Sequence, residues 1–285
     1  MEIKAVGVVG CGIMGTGIAQ VCAQSGYQVV ISEINNELLT KGLSAIDKTL
    51  SKAVEKGKLS PPDKDAITGR IKGTTSIGDF ASCELVVEAV VEDIGIKKKV
   101  FTDLDGVCPP DTILATNTSC LPITEIAAIT SSPDKVLGLH FFNPVPVMVL
   151  LEIVRALATS DETLETSKAF GKSLGKTIIT AQDRPGFVVN RLLVPFILDA
   201  IRMLESGVAT REDVDTGVHL GLNHPMGPLT LADFTGLDTC LFIAEAMYAE
   251  LKDPAVAPPT LLKRMVAAGW FGRKAGKGFY DYREA

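Results

Sequence analysis

Short apolar runs and helical spacings alternate along the N-terminal two thirds of the chain. Residues 5–9 and 29–31 are apolar runs of the kind that form strands buried on both faces. Between them, Ile18, Ala19 and Cys22 recur at the spacing of one helix face. This order of strand, helix and strand predicts the first unit of a parallel sheet.

The same alternation resumes after an interruption by two helices. Residues 36–58 predict a long helix, and the S-x-x-D spacing from Ser60 to Asp63 predicts the start of a second one. Further strands are predicted at residues 85–91, 112–116, 136–142, 148–154 and 177–180. Further helices are predicted at residues 93–104, 121–129 and 164–174. Repeated strand–helix units predict an α/β fold, a doubly wound, mostly parallel sheet of the Rossmann type with an extra helical excursion.

A loss of the strand pattern marks a domain boundary at residues 182–186. Beyond it, residues 187–205 predict a long and largely apolar helix with a kink at Pro195. Further helix starts are predicted at Thr210, Thr230 and Pro259. We therefore predict a Rossmann-type domain over residues 1–184 and an all-α domain over residues 185–285. The long apolar helix predicts that this second domain pairs with another copy of the chain.

The composition is that of an ordinary globular protein. The 285 residues are 46% hydrophobic and 22% charged, which suits one large or two medium domains. A net charge of −6 argues against a general nucleic-acid binder, and the sequence lacks a run of about 20 apolar residues that would predict a membrane span. Because the chain leads directly into its first predicted strand, we expect no signal peptide. Six scattered cysteines without a C-x-x-C pair predict thiols in a reducing cytoplasm, with neither a disulfide framework nor a metal site.

A glycine-rich turn follows the first predicted strand and opens the first predicted helix. The segment Gly10-Cys11-Gly12-Ile13-Met14-Gly15 has the pattern G-x-G-x-x-G. In this context Gly10 permits the tight turn, Gly12 lets a pyrophosphate approach the backbone, and Gly15 lets the helix pack closely on the strand. A glycine turn alone is weak evidence, but its place between strand and helix predicts a dinucleotide-binding site.

An acidic residue at the end of the second predicted strand specifies the dinucleotide. Glu33 lies about 20 residues beyond the glycines, where a carboxylate accepts hydrogen bonds from the adenosine ribose. Its charge would repel a 2′-phosphate, and Ile34, Asn35 and Asn36 supply no cation that would bind one. The sequence therefore predicts NAD rather than NADP as the cofactor.

Polar residues cluster near the ends of later predicted strands, where ligands bind in parallel sheets. These residues are Glu92, Asn117, Ser119 and His140. His140 suits a dehydrogenase because imidazole takes up and releases protons near neutral pH, although a purely structural histidine fits its position equally well. Glu152 follows a chain reversal at Pro144 and Pro146, which would bring its carboxylate beside the imidazole. Ser119 is placed to donate a hydrogen bond to a substrate oxygen.

Three further groups have weaker signals. Asn190, at the start of the long helix, is placed to complete the site from the second domain. His219 and His224 lie near prolines and glycine in the helical domain and are interpreted as turn or capping residues. A stripe of lysines recurs every four residues along the helix predicted at 36–58, at Lys48, Lys52 and Lys56. The stripe suits either a phosphorylated substrate or an ordinary solvated face, and residue chemistry alone favours the solvated face.

Four motifs in order resemble the L-3-hydroxyacyl-CoA dehydrogenase family. They are the segments at 117–119 (NTS), 140–146 (HFFNPVP), 184–191 (RPGFVVNR) and 224–228 (HPMGP). The resemblance covers essentially the whole chain and is strongest to the bacterial members that carry no fused hydratase. It implies reversible, NAD-dependent oxidation of the 3-hydroxyl of an acyl-CoA, a four-carbon acyl chain in those bacterial members, and a homodimer formed through the helical domain.

The resemblance also assigns roles to residues at matching positions. The catalytic histidine and its glutamate fall on His140 and Glu152, with Ser119 and Asn190 against the substrate. The cofactor contacts fall on Gly10, Gly12, Ile13, Met14, Gly15, Glu33, Glu92, Lys97 and Asn117. The acyl-CoA contacts fall on Lys56, Ser119 and Asn143. One departure is Cys120, where relatives often carry a second serine.

Two alternatives to this function remain at the level of the sequence. Dehydrogenases of the β-hydroxyacid and 6-phosphogluconate type share the glycine turn and a helical second domain, but they use a catalytic lysine. Residues 185–194 contain no lysine, which argues against that class. The other alternative is a non-catalytic protein that binds NAD on the same fold.

Overall fold

The computed structural model describes residues 2–283, and the chain divides into two compact units between Arg184 and Pro185. The first unit contains an eight-stranded sheet with the order β3-β2-β1-β4-β5-β6-β7-β8. Its strands are β1 (Ala5–Val9), β2 (Gln28–Ser32), β3 (Ile71–Thr74), β4 (Leu85–Glu88), β5 (Ile113–Thr116), β6 (Val136–Phe141), β7 (Leu150–Arg155) and β8 (Thr177–Gln182). Its helices are α1 (Ile13–Gln24), α2 (Asn36–Glu55), α3 (Pro61–Gly69), α4 (Ile94–Asp105), α5 (Ile123–Ala127) and α6 (Asp161–Ser173).

All neighbouring strands of this sheet pair in parallel except β6 and β7. The central strands are almost wholly buried, because helices cover both faces of a parallel sheet. The predicted fold class is therefore confirmed. The antiparallel β6–β7 pair is the place where the chain reverses on itself instead of crossing over through a helix.

The helical excursion after β2 consists of α2 and α3, and α3 begins at the predicted N-cap, Ser60. The Asn35 side chain accepts a hydrogen bond from the amide of Leu38, and the Ser60 side chain accepts one from Asp63. Helix α2 packs directly on the glycine turn, since a Cβ at Gly42 would lie 2.1 Å from the sulfur of Cys11. Any side chain at position 42 would push the helix away from the turn.

The sequence analysis missed one strand. β3 carries a lysine and a glycine in its four residues and lies at the edge of the sheet, where most of its side chains are partly exposed. An edge strand with one exposed side shows no continuous apolar run, so the criterion that found the central strands does not detect it. The helix predicted at 121–129 is also shorter, because Pro122 forms its N-cap and it ends at Ala127.

The second unit consists of helices. They are α7 (Val189–Glu205), α8 (Arg211–Gly221), α9 (Pro228–Thr235), α10 (Leu237–Leu251) and α11 (Thr260–Ala267). Pro195 lies inside α7, and Thr210 caps α8 as predicted. Among the described residues, every helix of the chain is too short or too polar to cross a lipid bilayer.

The predicted helix start at Thr230 is wrong. α9 begins at Pro228, because proline suits the first helical position, and Thr230 lies inside the helix. The hydroxyl of Thr230 instead donates to Asp215 on α8, over 2.6 Å. Asp233, the residue that completed the apparent capping box, is buried and accepts hydrogen bonds from the amides of Phe279 and Tyr280. Burial raises the pKa of Asp233 above its ordinary value.

Candidate active site

The glycine turn joins β1 to α1 and leaves open space where a phosphate would approach. Gly10 has a φ of 100°, and a Cβ there would lie 2.7 Å from the carbonyl oxygen of Ala89. A Cβ on Gly15 would lie 1.9 Å from the carbonyl oxygen of Gly10, so only glycine allows α1 to start this close to the strand. Gly12 is the N-cap of α1, and a Cβ there would have no neighbour within 4 Å. The exposed amides of the helix start therefore face an unobstructed region, which suits a pyrophosphate.

Glu33 lies directly beside this turn. Its Oε2 accepts a hydrogen bond from the amide of Cys11 at 3.0 Å, and its Oε1 accepts one from the amide of Ile34 at 2.8 Å. Each carboxylate oxygen has a second lone pair that remains available for a ribose hydroxyl. Two large apolar side chains in these segments are highly exposed: Ile13, within the turn, at 77%, and Ile34, directly after Glu33, at 84%. Ile13, a predicted contact residue, and Ile34 thus offer exposed apolar surface.

A buried charge network lies beyond β4. Glu88, at the end of that strand, is fully buried, and its Oε1 accepts a hydrogen bond from the Lys97 ammonium at 2.7 Å. The same ammonium lies 3.2 Å from Oε2 of Glu92. Glu88 Oε2 accepts a hydrogen bond from the hydroxyl of Thr116 on β5 at 2.7 Å. Two carboxylates and one ammonium are therefore held together at the carboxyl ends of adjacent strands.

Glu92 connects this network to the loop after β5, which carries Asn117 and Ser119. Its Oε1 accepts hydrogen bonds from the Thr118 hydroxyl at 2.5 Å and from the Ser119 amide at 2.7 Å. On the other side, the Asn117 side-chain oxygen accepts a hydrogen bond from the amide of Phe141 at 2.9 Å. The loop is thereby fixed between the network and the end of β6, close to His140.

The network changes how the predicted contact residue Lys97 is understood. Lys97 is only 1% exposed and its ammonium lies between Glu88 and Glu92, so the contact with cofactor that the resemblance implies stays a prediction. The sequence analysis missed Glu88 and Thr118. Glu88 gave one usable signal, because a carboxylate that ends an otherwise apolar strand requires a buried partner. Thr118 gave none.

His140 and Glu152 form a buried pair. They face each other across the antiparallel β6–β7 register, and His140 Nδ1 lies 2.6 Å from Glu152 Oε2. His140 is 5% exposed and Glu152 is 0% exposed. The imidazole also lies against the ring of Phe142, with centroids 4.6 Å apart. A carboxylate that accepts from Nδ1–H selects the tautomer in which Nε2 has the free lone pair, which is the arrangement a general base needs.

Cys120, the departure from the family pattern, lies next to this loop. Its sulfur is 3.9 Å from Glu92 Oε1. Burial, with a smaller effect of the Glu92 charge, raises the pKa of the Cys120 thiol to about 12. The residue is therefore a neutral thiol at physiological pH and adds no charge beside Ser119.

The remaining predicted residues differ in their exposure. Lys56 is the C-cap of α2 and is exposed, as are Lys48 and Lys52. Asn143 is exposed and precedes Pro144 in a cis peptide bond. Asn190 belongs to the second unit, where it lies buried in the first turn of α7. In the same unit, His219 Nδ1 and the carbonyl of His224 are 2.6 Å apart, which agrees with a turn or capping role.

Comparison with known proteins covers both units of the chain. Residues 5–184 match the family described as 3-hydroxyacyl-CoA dehydrogenase, NAD binding domain, and residues 186–282 match its C-terminal domain. A probable 3-hydroxybutyryl-CoA dehydrogenase of Bacillus subtilis is 48% identical over 100% of this chain and 99% of its own length. The 3-hydroxybutyryl-CoA dehydrogenase of Mycobacterium tuberculosis is 50% identical over 98% of this chain and 99% of its own length. The crystal structure of (S)-3-hydroxybutyryl-CoA dehydrogenase from Ralstonia eutropha superposes with a TM-score of 0.95, at 46% identity, over 99% of each chain.

Proposed function

The chain belongs to the 3-hydroxyacyl-CoA dehydrogenase family, and on that basis we propose that it catalyses the reversible, NAD-dependent oxidation of (S)-3-hydroxybutanoyl-CoA to the 3-ketoacyl-CoA. It is an oxidoreductase, and its cofactor is NAD. The observation that carries the proposed mechanism is the buried contact of 2.6 Å between His140 Nδ1 and Glu152 Oε2. The four-carbon acyl chain is supported by the names of relatives that match over nearly their full length.

The residues around the glycine turn fit the dinucleotide. Open space at Gly12, the amides of the α1 start and the carboxylate of Glu33 supply the three features that a pyrophosphate and an adenosine ribose require. Glu33 also supports NAD against NADP, because its carboxylate would lie close to a 2′-phosphate. When bound, NAD supplies an acceptor for the hydride that leaves C3 of the substrate.

His140 and Glu152 carry out the transfer of the proton of the substrate 3-hydroxyl. In oxidation, Nε2 of neutral His140 takes the proton of the 3-hydroxyl as the C3–H bond breaks and the C3–O bond becomes a carbonyl. Glu152 stabilises the imidazolium that forms and keeps the ring oriented. In reduction, the imidazolium returns the proton to the oxygen. Ser119 donates a hydrogen bond to the substrate oxygen, and we assign Asn190 and Asn143 to the acyl-CoA, as the family resemblance implies.

The test is a comparison of initial rates for 3-ketoacyl-CoA substrates from C4 to C16 with NADH and with NADPH. We expect the highest kcat/KM with the C4 substrate and NADH, and a much lower value with NADPH at any chain length. An optimum at C8 or longer would contradict the four-carbon assignment. Tight NADH binding without turnover of any substrate would favour the non-catalytic alternative.

The β-hydroxyacid type of dehydrogenase is not supported as a second candidate. The two family matches together cover residues 5–184 and 186–282, so nearly all of the chain belongs to the 3-hydroxyacyl-CoA class. The absence of lysine from residues 185–194 agrees with this assignment.

Lys56 is our candidate for binding the CoA moiety. It is exposed at the end of α2 and continues the stripe of Lys48 and Lys52, so a phosphate can reach it without displacing other groups. Lys56→Ala should raise KM for acetoacetyl-CoA by up to about fivefold, because an exposed charge pair contributes about 1 kcal/mol at most. The increase should shrink at high salt. Lys263→Ala, at an exposed lysine of α11, is the matched control, and an unchanged KM in Lys56→Ala would assign Lys56 to the solvated face.

We also propose that the protein is a homodimer and that it resides in the cytoplasm. The helical unit exposes large apolar side chains, among them Leu192 at 71% and Leu220 at 72%, which supports an interface with a second copy. Light scattering at micromolar concentration should give about twice the chain mass of 30.2 kDa, and the monomer mass would contradict the dimer. The cysteines are free thiols, which supports a reducing compartment, and cell fractionation tests that location.

A further inference from the structure

Lys176 is a buried cation for which the proposed mechanism has no role. It lies between α6 and β8 and is 9% exposed. Its ammonium donates hydrogen bonds to the carbonyl oxygen of Val145 at 2.6 Å and to that of Met148 at 2.7 Å. Burial lowers the pKa of Lys176 below its ordinary value, which reflects the cost of removing this charge from water. A buried ammonium is costly unless it is hydrogen-bonded, and both hydrogen bonds of Lys176 go to backbone carbonyls of one segment.

Both carbonyls belong to the connection between β6 and β7. Within that connection the carbonyl of Pro144 accepts hydrogen bonds from the amides of Val147 and Met148, at 2.9 and 3.0 Å, so the chain makes a tight turn. Val145 is buried against α1, where a Cβ on Gly17 would lie 2.9 Å from the Val145 side chain. Lys176 therefore binds this turn near its beginning and at its end.

The residue after Lys176 extends the same attachment into the sheet. The amide of Thr177 donates to the carbonyl of Val149 at 2.7 Å, and Thr177 pairs with Leu150, the first residue of β7. The hydrogen bonds of Lys176 and Thr177 thus fix the start of β7 in one register against β8. Two residues further along β7 is Glu152, which faces His140 only in the observed register. A shift of β7 by one residue would turn the Glu152 side chain to the other face of the sheet.

We propose that Lys176 is a positioning residue for the reaction: its hydrogen bonds to Val145 and Met148 hold the β6–β7 turn so that Glu152 stays on Nδ1 of His140. The inference rests on the proposed function, which assigns the proton transfer to His140. Without the ammonium, the buried carbonyl of Val145 and the partly buried carbonyl of Met148 lose this donor and the turn is free to move. The acid–base pair then loosens although neither of its members has changed.

The test compares Lys176→Met, which keeps the length of the side chain and removes its donors, with Lys172→Met at an exposed lysine one turn earlier. We expect Lys176→Met to lower kcat by about 10- to 100-fold, the loss typical of a small misplacement of a catalytic group. Kd for NADH should stay within about twofold, because the glycine turn and Glu33 are untouched. KM for acetoacetyl-CoA should change less than kcat, because Asn143 is the one assigned substrate contact that lies in the β6–β7 connection. Lys172→Met should behave as the wild type, and Lys176→Arg, which keeps the donors, should recover part of kcat.

A second readout does not depend on turnover. The Nδ1 proton of His140, bound over 2.6 Å to Glu152, should give a strongly downfield NMR resonance in the wild type and in Lys172→Met. In Lys176→Met this resonance should move upfield or broaden. An unchanged resonance and unchanged kcat, with only a lower Tm, would overturn the positioning role. If Lys176→Met does not fold, Lys176→Leu, which also lacks donors, is tested by the same kcat and NMR measurements, and wild-type values there overturn the positioning role. A wild type without turnover would instead refute the proposed function, since the resonance is measured independently.

Discussion

His140→Gln should lower kcat by about 10²- to 10⁴-fold, the contribution of a positioned acid–base group, while NADH binds with nearly unchanged affinity. Glutamine occupies similar space and still offers a polar group to Glu152, but it neither accepts nor releases a proton near neutral pH. The predicted cofactor contacts follow β1, β2, β4 and β5, and none of them involves position 140. The loss should therefore fall on the chemical step.

Steady-state rates with acetoacetyl-CoA and NADH, together with a fluorescence titration of NADH, check this expectation. His219→Gln is the matched control, because His219 is an exposed histidine in the helical unit whose ring bonds only to a local carbonyl in the described structure. The control should keep wild-type kcat. A His140→Gln protein with kcat within a factor of a few of wild type would remove His140 from the mechanism.

Glu152→Gln should produce a comparable fall in kcat, about 10²- to 10⁴-fold, with binding again preserved. The amide is nearly isosteric, so the change removes charge rather than shape. Its NH₂ group can donate to Nδ1 of His140, which would leave the proton on Nε2 and select the tautomer that cannot act as a base. The amide also fails to stabilise the imidazolium that oxidation requires.

The same rate and binding measurements apply to this variant. Glu165→Gln, at an exposed glutamate of α6 that pairs with Lys168, is the matched control and should have wild-type kcat. Because His140 and Glu152 act as a unit, the double variant should be little worse than either single variant. Full additivity of the two losses would show that Glu152 acts independently of the imidazole.

Much of the fold was accessible from the sequence because its signals are local. The glycine turn, the apolar strands and the cap at Ser60 follow from neighbouring residues, whose backbone preferences persist in the folded chain. Local signals failed where tertiary context overrode them. β3 lacks an apolar run because it lies at an edge, and Thr230 matched a capping pattern inside a helix that Pro228 had already begun.

The residues of the candidate site also divide into those that local sequence signals indicate and those that only the fold brings together. Glu33, Ser119 and His140 could be selected because they lie at or near the ends of predicted strands. A reversal at Pro144 and Pro146 suggested that Glu152 returns to His140. The partners of Lys97 could not be selected. Glu88 and Glu92 meet its ammonium only because β4 and the start of α4 place them there, and a charged residue on a helix normally predicts solvent exposure.

By itself, the sequence determined the order of strands and helices apart from the edge strand β3, the dinucleotide turn with its preference for NAD, and the family to which the reaction belongs. The tertiary structure alone decided the β6–β7 register that sets Glu152 on His140, the burial of Lys97 between two carboxylates, and the attachment of the β6–β7 turn to Lys176. Backbone periodicity and turn chemistry depend on a few neighbouring residues, so they can be predicted from short stretches of the sequence. Pairing between strands joins residues that are distant along the chain, and its register depends on how every neighbouring element packs.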